Sequence, residues 1–198
     1  MAQIYISLGS NIDREYHVKN GLISLATAFD IPFEKLQLSS LFECEAIGFD
    51  GPIFYNMVVG VNCQHTVEQV TVMLREIEFN HGRDHNAIKF SPRTLDLDLL
   101  VYDDQCIDDD RLQVPHPGIA VRAFVLYPLA EIAEDLTLPT LLFNLPEKGQ
   151  LKEQHIILSM NPADEAIQAA TTLSRKNFQH SIVLSQNDKV SKRIAKAF

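Results

Sequence analysis

The chain has 198 residues, 46% of them hydrophobic, and a formal net charge of -9. That is enough for one domain with a real core, or one domain and an appendage, and so acidic a surface disfavours nucleic acid or an anionic membrane as the main partner. Three cysteines (Cys44, Cys63, Cys106) without a C-x-x-C spacing suit a reducing cytoplasm and argue against a zinc site.

Met1-Ala2-Gln3 runs straight into a strand pattern with no basic region before it, so no signal peptide is expected. No apolar run approaches the ~20 residues of a membrane span. Gln3 to Leu8 alternates and is β-rich, which predicts a strand, and Gly9-Ser10-Asn11 reads as the turn that ends it. Asp13 is placed to cap a helix whose buried stripe is Val18, Leu22, Leu25, Ala26 and Phe29, stopped by Ile31-Pro32.

A second strand is predicted from about Leu36 to Cys44, followed by a Gly- and Pro-bearing loop, Glu45 to Pro52. A third strand opens with Phe54-Tyr55-Asn56. Alternation puts Phe54 and Asn56 on one face, where an aromatic ring and an amide could stack on and hydrogen-bond to a flat heterocycle. Thr66 and Gln69 form a capping box for a second helix with Val67, Val70, Leu74 and Ile77 inward, ended by Gly82. The polar loop that follows carries Arg83, His85, Lys89 and Arg93, a cationic run in an acidic chain and a reasonable match for a triphosphate.

That loop feeds Asp96-Leu97-Asp98-Leu99-Leu100-Val101. A strand here places Asp96 and Asp98 on one face, about 6–7 Å apart at their Cα atoms, a pairing that suits a hard divalent cation such as Mg2+ bridging to phosphate. Downstream, Asp103-Asp104-Gln105 turns the chain, and Cys106-Ile107 reads as a short strand before the charged turn Asp108-Asp109-Asp110. His116 is held stiffly between Pro115 and Pro117, and Arg122 and Phe124 begin an apolar segment reaching Ala133. Beyond Pro139 the pattern changes. A helix is expected after Asn161-Pro162, a strand over His180 to Leu184, and a frayed basic end from Lys189.

Pro92-Arg93, two residues, then Asp96-x-Asp98 and two aliphatics make a specific motif, supported by Gly9-Ser10-Asn11, Tyr55-Asn56, Gly82-Arg83 and Val114-Pro115-His116. Together they resemble the 6-hydroxymethyl-7,8-dihydropterin pyrophosphokinase family over roughly residues 2–139. The resemblance implies an α+β, ferredoxin-like sandwich, with a mostly antiparallel sheet and helices packed on it, as residues 1–139. Residues 140–198 are then a C-terminal extension of unknown role. It implies a cytoplasmic monomer that moves pyrophosphate from ATP to the pterin's hydroxymethyl group and releases AMP, with neither nucleic acid nor membrane as partner.

By the same resemblance Arg83, Arg93, Asp96 and Asp98 are catalytic, and the two aspartates hold two Mg2+ ions. ATP is bound by Arg75, Glu78, Arg83, Lys89, Arg93, His116 and Arg122. The pterin is bound by Asn11, Phe54, Asn56 and Phe124. The chain departs from the family where Phe54 replaces a tyrosine, His85 an arginine, Phe90 a tryptophan, and Cys44-Glu45-Ala46 a threonine and proline pair. A non-catalytic pterin or nucleotide sensor with a degraded loop is the alternative, and a different Mg2+-dependent nucleotide transferase on the same fold is a third reading.

Overall fold

The structure is a computed structural model that describes residues 1–84, 91–133, 136, 154–158 and 182–183. Strand β1 (Ala2–Ser10) leads to helix α1 (Arg14–Ala28), a short 3-10 turn (Phe33–Lys35), and strands β2 (Gln37–Leu38), β3 (Phe42–Cys44) and β4 (Phe54–Cys63). Helix α2 (Val67–Asn80) and strand β5 (Asp96–Tyr102) follow. Then come the hairpin β6 (Ile107–Asp108) and β7 (Gln113–Val114), and helices α3 (Gly118–Val121) and α4 (Ala123–Ile132). Two further strands are β8 (Gln154–Leu158) and β9 (Ile182–Val183).

The main sheet runs β5-β1-β4-β3-β8-β9, with β2 paired to β4. Its pairs are antiparallel except β8 with β9. The first four strands and α1 and α2 form the split β-α-β unit of a ferredoxin-like α+β sandwich. Alternation divides the core. Ile4, Ile6, Leu8, Val59, Val61, Leu97 and Leu99 pack against Leu22 and Leu25 of α1 and Val70, Leu74 and Ile77 of α2. Tyr5, Val58, Leu100 and Val101 pack on the other face against Ile119, Val125, Leu126 and Leu129. A register shift between Tyr5 and Ile6 makes Leu100 the extra residue of a bulge, so Leu100 and Val101 both turn toward α4.

Both main helices bury the stripes read from sequence. The Thr66–Gln69 capping box forms, and Gly82, at φ +88, leaves α2 in the left-handed conformation that glycine tolerates. Three expectations need correction. Gly9 and Ser10 do not turn; they extend β1, opposite Asn56 and Tyr55. Glycine suits the close approach there, since a Cβ would lie 3.0 Å from Asn56 Oδ1. Asp13 precedes α1 with φ 41 and, among the described residues, its side chain makes no capping bond; its backbone carbonyl accepts His17 N–H at 3.0 Å instead.

The expected strand at 36–44 is broken between Leu38 and Phe42, and its register against β4 shifts by one residue. Two side chains, the Ser39 hydroxyl and the Glu131 carboxylate, take ladder bonds there. Ser39 Oγ accepts Val58 N–H at 2.9 Å, and Ser40 N–H donates to the Glu131 carboxylate of α4. The apolar run from Phe124 is helix α4, with Pro128 inside it. The helix expected after Pro162 and the basic end lie outside the described residues, whereas β9 falls within the strand expected at 180–184.

Candidate active site

The site lies on the α4 face of the sheet, where β5 and β4 begin and β1 ends. Asp96 and Asp98 stand opposite Gly9 and Ser7 of β1. A cavity of about 390 Å³ is lined by Ser7, Gly9, Asp96 and Asp98 at its floor, and by Cys44, Phe54 and Asn56 along one wall. Phe124, Arg122 and His116 close the opposite side, and Arg83 and Arg93 stand over the aspartates. Ile47 and Phe49 come from the loop after β3, and Phe49 meets Phe54 edge to face at 6.3 Å between centroids.

The charges are interlocked. Arg83 Nη1 donates to Asp96 Oδ1 at 2.9 Å and to Glu78 Oε1. Glu78 Oε2 takes Arg75 Nη1 at 3.3 Å, and its Oε1 accepts Leu97 N–H at 2.9 Å. Arg93 Nε is 4.0 Å from Asp96 Oδ1. Burial first and the Asp98 charge second push the Asp96 carboxyl above its usual range, against the pull of Arg83 and Arg93. Two carboxylates that repel across one strand face form an oxygen-rich pair suited to a hard cation.

His116 is fixed by its neighbours. Its N–H donates to Leu100 C=O at 2.7 Å, and Gly118 N–H donates to its Nδ1 at 3.0 Å. An accepting Nδ1 puts the proton of the neutral ring on Nε2, leaving that nitrogen as the donor. Burial lowers the ring's pKa, with Asp98 opposing. Arg122 lies over the Phe124 ring at 5.8 Å from its centroid.

A second cavity, about 530 Å³, opens on the α2 side. Thr71, Leu74, Arg75 and Glu78 line it from the helix, and Asp108 to Gln113 from the β6–β7 hairpin. It shares Asp98 and His116 with the first cavity, so the two recesses meet at those side chains.

Of the site residues read from sequence, Arg83, Arg93, Asp96, Asp98, His116, Arg122, Phe54, Asn56 and Phe124 line the first cavity, and Arg75 and Glu78 the second. Lys89 lies outside the described residues. Asn11 is not among the lining residues: its Oδ1 accepts Arg93 N–H at 2.7 Å and its Nδ2 donates to Pro52 C=O at 3.0 Å. The sequence reading missed Cys44, Phe49, Thr71 and Arg111 as lining groups. Thr71 could have been found, since it precedes Leu74, Arg75 and Glu78 at helical spacing on one face.

Residues 5–134 match the family model described as 7,8-dihydro-6-hydroxymethylpterin-pyrophosphokinase (HPPK). The chain is similar to the 2-amino-4-hydroxy-6-hydroxymethyldihydropteridine pyrophosphokinase of Pseudomonas aeruginosa, 36% identical over 140 residues, covering 69% of this chain and 84% of that protein. The Bacillus subtilis protein of the same name is 35% identical over 134 residues, 67% of this chain and 78% of its own. That of Aquifex aeolicus is 31% identical over 141 residues, 70% and 85% of the two chains.

Proposed function

Because the chain belongs to the 7,8-dihydro-6-hydroxymethylpterin-pyrophosphokinase family, ATP-using diphosphotransferases of folate biosynthesis, we propose that it moves the β,γ-diphosphate of ATP onto 6-hydroxymethyl-7,8-dihydropterin and releases AMP. The observation that carries this reading is the meeting of two cavities at Asp98 and His116. Transfer between two bound substrates needs a recess for each and reacting atoms brought together where the recesses join.

ATP takes the α2-side cavity, against Arg75 and Glu78, and its triphosphate reaches toward Asp96 and Asp98. Arg83, Arg93, His116 and Arg122 meet the phosphate oxygens, and Lys89, shortly before Pro92 in the sequence, adds a cation. The pterin takes the aromatic cavity between Phe54 and Phe124, with Asn56 on its polar edge and Asn11 supporting the wall behind. In the transfer the hydroxyl oxygen bonds to the β-phosphorus, the bond from that phosphorus to the α-phosphate oxygen breaks, and the hydroxyl proton passes to solvent. Positioning and fixed positive charge supply the catalysis.

Asp96 and Asp98 fit two Mg2+ ions as carboxylate oxygen ligands, and a cation would offset the Asp98 charge that, after burial, raises the Asp96 carboxyl. When bound, the metal neutralises charge on the phosphate oxygens. The proposal includes a monomer in the reducing cytoplasm, in line with free Cys44, Cys63 and Cys106. It also keeps residues 140–198 as an extension: the family match ends at 134, and β8 adds a strand beside β3.

The test is incubation with ATP, Mg2+ and the hydroxymethyl-dihydropterin, followed by assay of AMP. Release that depends on the pterin supports the enzyme. Binding of both ligands without AMP release gives the reading to the non-catalytic alternative.

A further inference from the structure

Asn56 reaches the cavity from the third position of β4 and is 7% exposed. A primary amide has a donor end and an acceptor end, and a flat ligand reads them differently. In this fold the two ends face different strands. Asn56 Nδ2 donates to Cys44 Sγ of β3 at 2.8 Å. Oδ1 lies over β1, where a Cβ on Gly9 would come within 3.0 Å of it. Cys44 is itself a wall of the cavity.

We propose that Cys44 is a positioning residue of the pterin site, its sulfur fixing which end of the Asn56 amide faces along the cavity and so which edge of the ligand is read. This rests on the pterin reading of that cavity. A hydroxyl donates as readily to Oδ1 as it accepts from Nδ2, and so holds the amide either way round. A thiol accepts only weakly, but S–H also donates weakly, so it offers Oδ1 little that would turn the amide over. Burial pushes the Cys44 thiol up to about 12, so a neutral sulfur faces Asn56 throughout the working pH range. Nδ2 keeps a second hydrogen, and the amide offers an N–H and a carbonyl side by side. An aminopyrimidinone edge carries the complementary acceptor and donor.

Cys44→Val keeps most of the volume and removes the acceptor; Cys44→Ser returns an acceptor in less volume. The loss of one hydrogen bond predicts a KM for the pterin about five-fold higher in Cys44→Val, with the KM for ATP changed by less than about two-fold and partial recovery in Cys44→Ser. An unchanged pterin KM in Cys44→Val overturns the proposal, as does an equal loss in both variants. A second readout needs no turnover: the side-chain 15N amide signal of Asn56, assigned with Asn56→Asp, shifts in Cys44→Val of the free protein. If that signal stays fixed, the amide is not held by Cys44. If it moves while the wild-type protein releases no AMP, the pyrophosphokinase reading fails and the Cys44–Asn56 pairing stands.

Discussion

The Glu78 carboxylate accepts the backbone N–H of Leu97 at 2.9 Å, joining the last turn of α2 to the residue between the two aspartates. Strand β5 is the edge of the sheet, so its outward N–H groups have no further strand to meet. Glu78, 2% exposed, serves in that place, and the same oxygen pairs with Arg83, whose guanidinium reaches Asp96. One buried carboxylate therefore sets the height of the Asp96–Asp98 pair and the position of the arginine over it.

Burial pushes the Glu78 carboxyl from 4.5 up to about 7, although the Leu97 N–H, Arg83 and Arg75 all favour its charged form. The folded chain then holds this proton more tightly than the unfolded chain. The group's contribution is full below pH 4.5 and is lost as pH rises through about 7. Urea unfolding of the wild type should show this decline between pH 5 and 8, by at most about 3 kcal/mol from this group, and Glu78→Gln should flatten it. An identical slope in the variant assigns the pH dependence elsewhere.

The helical stripes and the capping box were legible because each is a local pattern with one dominant period. The face shared by Asp96 and Asp98 was legible for the same reason, as was the pairing of Phe54 with Asn56. What the sequence hid depends on contacts between distant segments. Gly9 reads as a turn until Asn56 is seen pressing on it from β4. Ser39 and Ser40 read as strand until Val58 and Glu131 are found taking their hydrogen bonds. Cys44 carries no motif of its own, and only the fold brings its sulfur to Asn56. Asn11 sits in a motif of the family, yet its partners lie 41 and 82 residues away.

Asp98 makes the cleanest test of the carboxylate pair. It lines both cavities and is partly exposed on β5, and its backbone pairing with Ser7 does not use the side chain. Asp98→Ala should abolish Mg2+-dependent AMP release while the unfolding free energy in urea stays within about 1 kcal/mol of wild type, as for a substitution outside the core. Wild-type turnover in the variant would remove Asp98 from the metal site.

Asn11 holds two segments at once, Arg93 through its backbone N–H and the loop before β4 through Pro52 C=O. Asn11→Ala strands both groups and should lower unfolding free energy by about 1–3 kcal/mol. It should also lower kcat, because Arg93 is then held only through its carbonyl, by the Asn11 and Ile12 N–H groups, and not through its own N–H. A variant with normal stability and kcat but weaker pterin binding would show instead that Asn11 touches the ligand directly.

His17 of α1 and His81 at the end of α2 meet through their Nδ1 atoms at 3.0 Å, and Ser24 Oγ lies 3.2 Å from His81 Nε2. Such a contact needs one ring to donate and the other to accept, so it fails when both rings are protonated. Burial lowers the His81 pKa from 6.5, and the neighbouring His17 lowers it further. The sign is opposite to that of Glu78: the folded state binds this proton less tightly than the unfolded state. The contribution is present above pH 6.5 and is lost as pH falls through the depressed value. Arg83 follows His81 by two residues, so opening of this contact at acid pH releases the end of α2 that leads to the site. Once exchange rates are divided by their intrinsic, base-catalysed values, the protection of the Gly82 and Arg83 amides should therefore fall between pH 7 and 5 before global unfolding. Because the Glu78 dependence runs the other way over this range, the stability readout is the difference from wild type: His81→Asn should gain stability relative to wild type as pH falls from 7 to 5. If that difference does not change with pH and the protection of both amides stays flat, the histidine pair does not couple α1 to the segment carrying Arg83.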